Sequence, residues 1–238
     1  MNDNPILAKD TLLSSRGLFL PLLISITNLV LLILLIGNLY YISLIGAQTG
    51  EIRYSAFLQS YYLVGAGLFL FLLLLAPAIT VSSLSIEEQN MLELLLGTDL
   101  DSRSIILGKL YAELSTLITL LFSTLPFLAT VYIYRGIPNL YLLFYFLAYF
   151  LSCIFLSSLG IACSGITKNS AYASILAYGI SFFTYAVLFY SLYFLWESKY
   201  FFYGIFFFFC ILSLLSFVFL WIGRKSLEVY AIRNVNLL

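Results

Sequence analysis

The sequence predicts an all-α integral membrane protein: six transmembrane helices, an N-terminal interfacial helix, and a short amphipathic cytoplasmic helix between spans 2 and 3. Two observations carry this. Of 238 residues, 63% are hydrophobic and 9% are charged, with a mean hydropathy of +1.06, whereas soluble domains carry roughly 25% charged residues. The few charges fall in breaks between long apolar runs, and a helix that crosses a bilayer consumes about 20 apolar residues. A soluble globule is excluded, and residues 1–238 read as a single transmembrane domain.

Residues 1–17 are polar and include Asp3, Lys9, Asp10 and Arg16, so they lack the short basic opening of a secretory signal. Asn4 followed by Pro5 suits an N-cap with proline at the first helical position. A short helix through Ile6, Leu7 and Leu13 is expected there, lying on the membrane surface. Spans follow at about 18–42, 61–84, 105–132, 140–166, 172–195 and 201–222. The breaks hold Glu51 and Arg53, a polar block over 85–104, residues 135–139, Lys168 and Asn169, residues 197–199, and everything from Arg224.

An even number of spans returns the chain to the side on which it started. Basic residues bias loops towards the cytoplasm. With the termini inside, Lys9, Arg16, Arg103, Lys109, Lys168, Arg224, Lys225 and Arg233 lie on the inner side, against Arg53, Arg135 and Lys199 outside. The expected location is the cell membrane, multi-pass, with both termini cytoplasmic. Tyrosines near the span ends suit interfacial aromatic belts.

Composition also removes functions. Eleven Lys and Arg balance eleven Asp and Glu, so no basic field invites nucleic acid. There is no His, which removes the commonest general base and metal ligand. No nucleophile with a base is legible for an intramembrane hydrolase. Cys153, Cys163 and Cys210 lie in apolar runs without a close pair, which reads as buried, inert thiols. Gly108 and Lys109 are followed by Leu110, and position 103 is Arg, so the phosphate-binding loop pattern is not met. Neither an enzyme activity nor a bound cofactor is expected of this chain; if it is powered, another chain supplies the power.

Glu113, about one turn inside the third span, is a candidate for an ionisable group serving transport. The other reading places it at the interface near Lys109, four residues earlier on the same helical face. Small residues recur at helical spacing, with Cys153, Ser157, Gly160 and Ser164 in the fourth span and Ala173, Ala177 and Ser181 in the fifth. Such stripes permit close helix contact, either within one subunit or between two.

The block over 85–104 is the longest loop on the cytoplasmic side. On a helix, Leu84, Met91, Leu92 and Leu95 share a face with Glu88, and Glu93 lies opposite. Gly97 suits the position just past a helix end, and Asp101 or Ser102 can cap the next helix. An apolar stripe exposed in the cytoplasm needs a cover, either the membrane surface or a protein groove.

These residues carry a resemblance. Ala76-Pro77-Ala78-Ile79-Thr80, Glu88-Gln89, Leu92-Glu93-Leu94-Leu95-Leu96-Gly97-Thr98 and Ile105-Ile106-Leu107-Gly108-Lys109-Leu110 resemble the ABC-2 type permeases, the membrane subunits of type-2 ABC exporters. The opening Asn4-Pro5-Ile6-Leu7-Ala8-Lys9-Asp10 is similar to their N-terminal segment. The sequence departs from the family pattern at Asn90-Met91, where Gly-Thr is usual, and at Ile86 and Glu87, where Glu and Arg are usual. The resemblance implies that the helix around Glu88, Met91, Leu92, Leu95 and Leu96 is a coupling helix docking into a groove of an ATPase subunit. It further implies an N-terminal elbow helix, two ATPase subunits per complex, and a second permease copy or a sister permease. Ser157, Gly160, Ser164, Ala173 and Ala177 are then candidates for permease-to-permease packing. The expected function is ATP-driven export of an amphipathic substrate, such as a peptide, an antibiotic or a lipid-like molecule. The alternative is a non-transporting membrane scaffold whose cytoplasmic helix binds another partner.

The topology is checked with single cysteines and a membrane-impermeant thiol reagent in intact cells. Cysteines at Gly50 and Asn139 are expected to label from outside and one at Asn236 is not; the reverse pattern overturns the orientation.

Overall fold

The computed structural model describes residues 18–50, 56–85, 102–133, 139–167, 169–195 and 201–235. These form α1 (Phe19–Thr49), α2 (Ala56–Ser85), α3 (Ser102–Ile133), α4 (Asn139–Ile166), α5 (Ser170–Leu195) and α6 (Phe201–Val235). Each of the six contains a stretch long and apolar enough to cross a membrane, and no strand occurs among the described residues. The expected N-terminal interfacial helix and the helix expected within the 85–104 block fall in 1–17 and 86–101, outside the described residues.

Two helices outrun their apolar runs. α1 continues past residue 42 to Thr49 and stops at Gly50, whose φ of 74° places it in the left-handed region while its N–H bonds the Gly46 carbonyl at 2.9 Å. α6 continues past residue 222 because Arg, Lys and Glu are good helix formers. Arg224 and Glu228 also pair at i,i+4 across 2.8 Å. Hydropathy marks where a helix leaves an apolar layer, and hydrogen bonding marks where it ends. At the start of α5, Asn169 supplies the cap: its side-chain oxygen accepts from the Ala171 N–H at 3.1 Å.

Packing divides the chain into two compact units, and α2, α3 and α4 contribute residues to both. Among the described residues, one unit contains those from 18 to 72 together with those from 116 to 150. Its core is Leu31 and Leu35 of α1, Tyr61, Val64 and Leu68 of α2, and Leu128 of α3. Tyr145 of α4 meets Tyr61 and Phe69 edge-on, with ring centroids 6.1 and 6.2 Å away. Its hydroxyl donates to the Gly65 carbonyl at 3.3 Å, and a Cβ at Gly65 would stand 3.2 Å from the ring. Ser60 donates to the Asn38 side-chain oxygen at 2.6 Å, which joins α2 to α1 by a buried polar bond.

The other unit contains Leu73–Ser115 and residues from Leu151 onward. Here helices meet through missing side chains. A Cβ at Gly160 would collide with Oγ1 and Cβ of Thr80, and one at Gly165 would collide with Oγ of Ser226. A Cβ at Gly223 would lie 3.1 Å from Cγ2 of Ile161. Phe155 of α4 packs edge-on against Tyr185 of α5 and Phe219 of α6, at 5.9 and 6.0 Å. Gly160 against Thr80 and Gly165 against Ser226 set the C-terminal ends of α2, α4 and α6 at the same end of this unit, the alternation expected of successive hairpins.

Enclosure differs between helices. In its span 61% of α3 is buried, against 22% for α1, 22% for α5 and 17% for α6. The outer stripe of α1, with Leu22, Ile26, Leu29, Ile33, Ile36 and Tyr40 exposed, is apolar, as a lipid-facing surface must be.

Gly160→Ala is expected to force α2 and α4 apart and lower stability by about 1–3 kcal/mol, the usual range for overpacking. Gly37 and Gly179 have nothing within 4 Å of an added Cβ, so Gly37→Ala and Gly179→Ala should be neutral or stabilising. Unfolding of the three variants in mild detergent makes the comparison.

Candidate functional site

Charges are what an apolar helix tolerates least. Among the described residues, Lys109 and Glu113 are the buried Lys, Arg, Asp or Glu side chains, 2% and 5% exposed. They stand four residues apart on α3, the most enclosed helix. Leu107 and Tyr111, both exposed, occupy the opposite side of the same turns. At 1.5 Å per residue, Lys109 lies about 10 Å and Glu113 about 16 Å along α3 from Ser102.

Helix stability does not explain the pair. A cation near a helix N-terminus opposes the helix dipole, and Lys four residues before Glu is the weaker of the two orders. An isolated buried charge is costly in a medium of low dielectric, and removing one partner of a buried pair leaves that cost uncompensated. Both residues take part in polar interactions. Opposite charges together keep the enclosed part of α3 formally neutral.

The unit that holds the pair also buries hydroxyls: Thr80 on α2, Ser152, Ser157, Ser158 and Ser164 on α4, Ser181 on α5 and Ser216 on α6. Most turn back onto their own helix. Ser158 donates to the Phe155 carbonyl, Ser164 to Ile161, Ser181 to Tyr178 and Ser216 to Ser213, at 2.7 to 2.9 Å. Tyr185 of α5 is buried with its ring edge-on to Phe155 of α4.

Ser157, Gly160, Ser164, Ala173 and Ala177 are all buried inside the chain. The small side of α4 is occupied at Gly160 by Thr80 of the same molecule. Glu88, Met91, Leu92, Leu95 and Leu96 lie outside the described residues. Cys153 and Cys163 are buried as expected, whereas Cys210 is exposed. That expectation fails at Cys210 because apolar neighbours in sequence do not bury a residue on a helix that is mostly uncovered. Among the described residues no group of three His, Cys, Asp or Glu is placed to hold a metal ion.

Sequence reasoning missed two features. The depth of burial of Lys109 was not legible, because a Lys seven residues into a helix reads as interfacial. The bond from the Tyr178 hydroxyl to the Leu74 carbonyl, 2.6 Å long, was also missed, because an apolar run does not show which neighbouring helix its tyrosines meet. At the C-terminal end of α6, Lys225 places its ammonium 4.3 Å from the centre of the Trp221 ring, an amphipathic arrangement suited to a membrane interface.

Compared with family models, curated proteins and solved structures, the chain has no match.

Lys109→Met is expected to destabilise the protein by about 3–5 kcal/mol, because it strands the Glu113 carboxylate. The double variant Lys109→Met with Glu113→Gln should recover much of that loss. Unfolding in detergent reads this cycle, and additive losses would mean that the two charges do not depend on each other.

Proposed function

We propose that the chain is the permease subunit of an ATP-driven exporter that moves an amphipathic substrate, such as a peptide, an antibiotic or a lipid-like molecule, across the cell membrane. One observation supports this above others: the Glu88-to-Thr98 run and the Gly108-Lys109-Leu110 run that resemble the ABC-2 permeases flank the entry to α3, the most enclosed helix and the one that holds the buried charges. A loop that docks on a moving partner acts on the protein interior most directly through such a helix.

In this reading two ATPase subunits bind ATP and Mg and supply the hydrolysis. The stripe of Met91, Leu92, Leu95 and Leu96 seats in a groove of the ATPase, and Glu88 pairs with a basic residue at its rim. Closure of the ATPases on ATP displaces the loop over 86–101, and α3 carries the displacement inward through Gly108 and Lys109. A second copy or a sister permease completes the pathway, both termini are cytoplasmic, and this chain performs no catalysis itself.

Leu92→Asp with Leu95→Asp is expected to abolish co-purification of the ATPase while membrane insertion is kept. Each anchor, if fully buried, contributes about 1.5–3 kcal/mol, and the introduced charges add a desolvation cost. Glu88→Lys should weaken association more than Glu93→Lys does. Retention of the ATPase by the double Asp variant, or greater sensitivity at Glu93, would place the coupling element elsewhere.

A further inference from the structure

Where α6 leaves the apolar layer, its two sides face different surroundings. Gly223 and Ser226 turn towards α4, Gly223 against Ile161 and Ser226 against Gly165. Trp221 and Lys225, one turn apart on the opposite side, are exposed. Phe217 and Leu214 continue this exposed side back along the helix. The apolar run ends at residue 222. From exposed Tyr203 to Lys225 the helix rises about 33 Å, at 1.5 Å per residue, slightly more than the ~30 Å of hydrocarbon in a bilayer. A helix that crosses the membrane here sets Lys225 among the headgroups.

Charge and hydrogen bonding on this side are unbalanced. Nε of Arg224 donates to Oε1 of Glu228 at 2.8 Å, so the carboxylate nearest Lys225 in the chain is already held by Arg224. Lys225 has no ion pair among the described residues, and its ammonium rests 4.3 Å from the centre of the Trp221 ring. That stacking keeps the ammonium beside the helix instead of extended into water. The ring N–H of Trp221 can only donate, and it has no acceptor among the described residues. Two donors, one of them a cation, are therefore left on one exposed side. With Arg224 and Glu228 offsetting each other, this side keeps one positive charge, although the whole chain is neutral.

We propose that Trp221 and Lys225 form a binding site for an anionic phospholipid. The ammonium and the indole N–H meet its phosphate oxygens, and its acyl chains lie along Phe217 and Leu214. A choline lipid offers the same phosphate but brings its own cation beside it, which Lys225 repels; an anionic headgroup does not. The site stands whether or not the chain is an exporter subunit.

Quenching by brominated lipids tests it on the full chain. The chain has two tryptophans, so Trp196→Phe leaves Trp221 as the sole reporter. The protein is reconstituted in phosphatidylcholine with rising fractions of brominated phosphatidylglycerol or, separately, brominated phosphatidylcholine, and the loss of fluorescence gives the relative affinity of the two lipids. Phosphatidylglycerol should be preferred about fivefold, the factor that corresponds to one basic side chain at an anionic surface. Lys225→Gln should bring the ratio close to one, and Lys225→Arg should keep it. Glu228→Gln releases Arg224 and should raise it. Exchanging chloride for inorganic phosphate at constant ionic strength should leave the ratio unchanged. Equal quenching by the two lipids, a preference that survives Lys225→Gln, or one lowered by Glu228→Gln would overturn the site. Loss of the preference in phosphate would assign these donors to a free anion and overturn it as well.

Discussion

Opposite charges inside an apolar helix have to be kept away from hydrocarbon, and that constraint explains why α3 is the most enclosed helix. Lys109 and Glu113 sit on one face of it, with exposed Leu107 and Tyr111 on the other. The cost of an unshielded charge in a medium of low dielectric far exceeds what any single apolar contact returns. Helices without such a burden, α1, α5 and α6, can stay mostly uncovered, and their outward faces carry apolar and aromatic side chains instead.

Close enclosure demands close approach, and the chain meets this with small residues where helices cross. Gly160 admits Thr80, Gly165 admits Ser226, and Gly223 admits Ile161. The hydroxyls of Ser158, Ser164 and Ser226 bond carbonyls of their own helices, which satisfies these three within the apolar layer. Packing of this kind is stiff.

Much of this was legible in the sequence, and the reasons differ by element. The six helices follow from apolar runs separated by charge, because burial in lipid is a property of composition summed over about 20 residues. Helix ends were less legible: Gly50 and the Arg224–Glu228 pair set where α1 and α6 stop or continue, and a hydropathy window averages over both. Small residues at four-residue spacing in α4 pointed to a close contact, yet spacing alone does not say which chain fills it; at Gly160 it is Thr80. The burial of Lys109 depends on which helices surround α3, and no local pattern encodes that. Glu88, Met91, Leu92, Leu95 and Leu96 stand on the amphipathic pattern and the resemblance alone, as these residues are outside those the structure describes.

A link from a cytoplasmic ATPase through the loop over 86–101 into α3 is the central claim, and the composition of the native complex tests it most directly. The tagged protein is extracted from its own membrane in mild detergent, and the stoichiometry of what accompanies it is measured by mass spectrometry. A separate polypeptide with a phosphate-binding loop, present at two copies per complex and hydrolysing ATP, is the expected result. Recovery of the chain alone, or with a stable partner that has no nucleotide site, would contradict the claim.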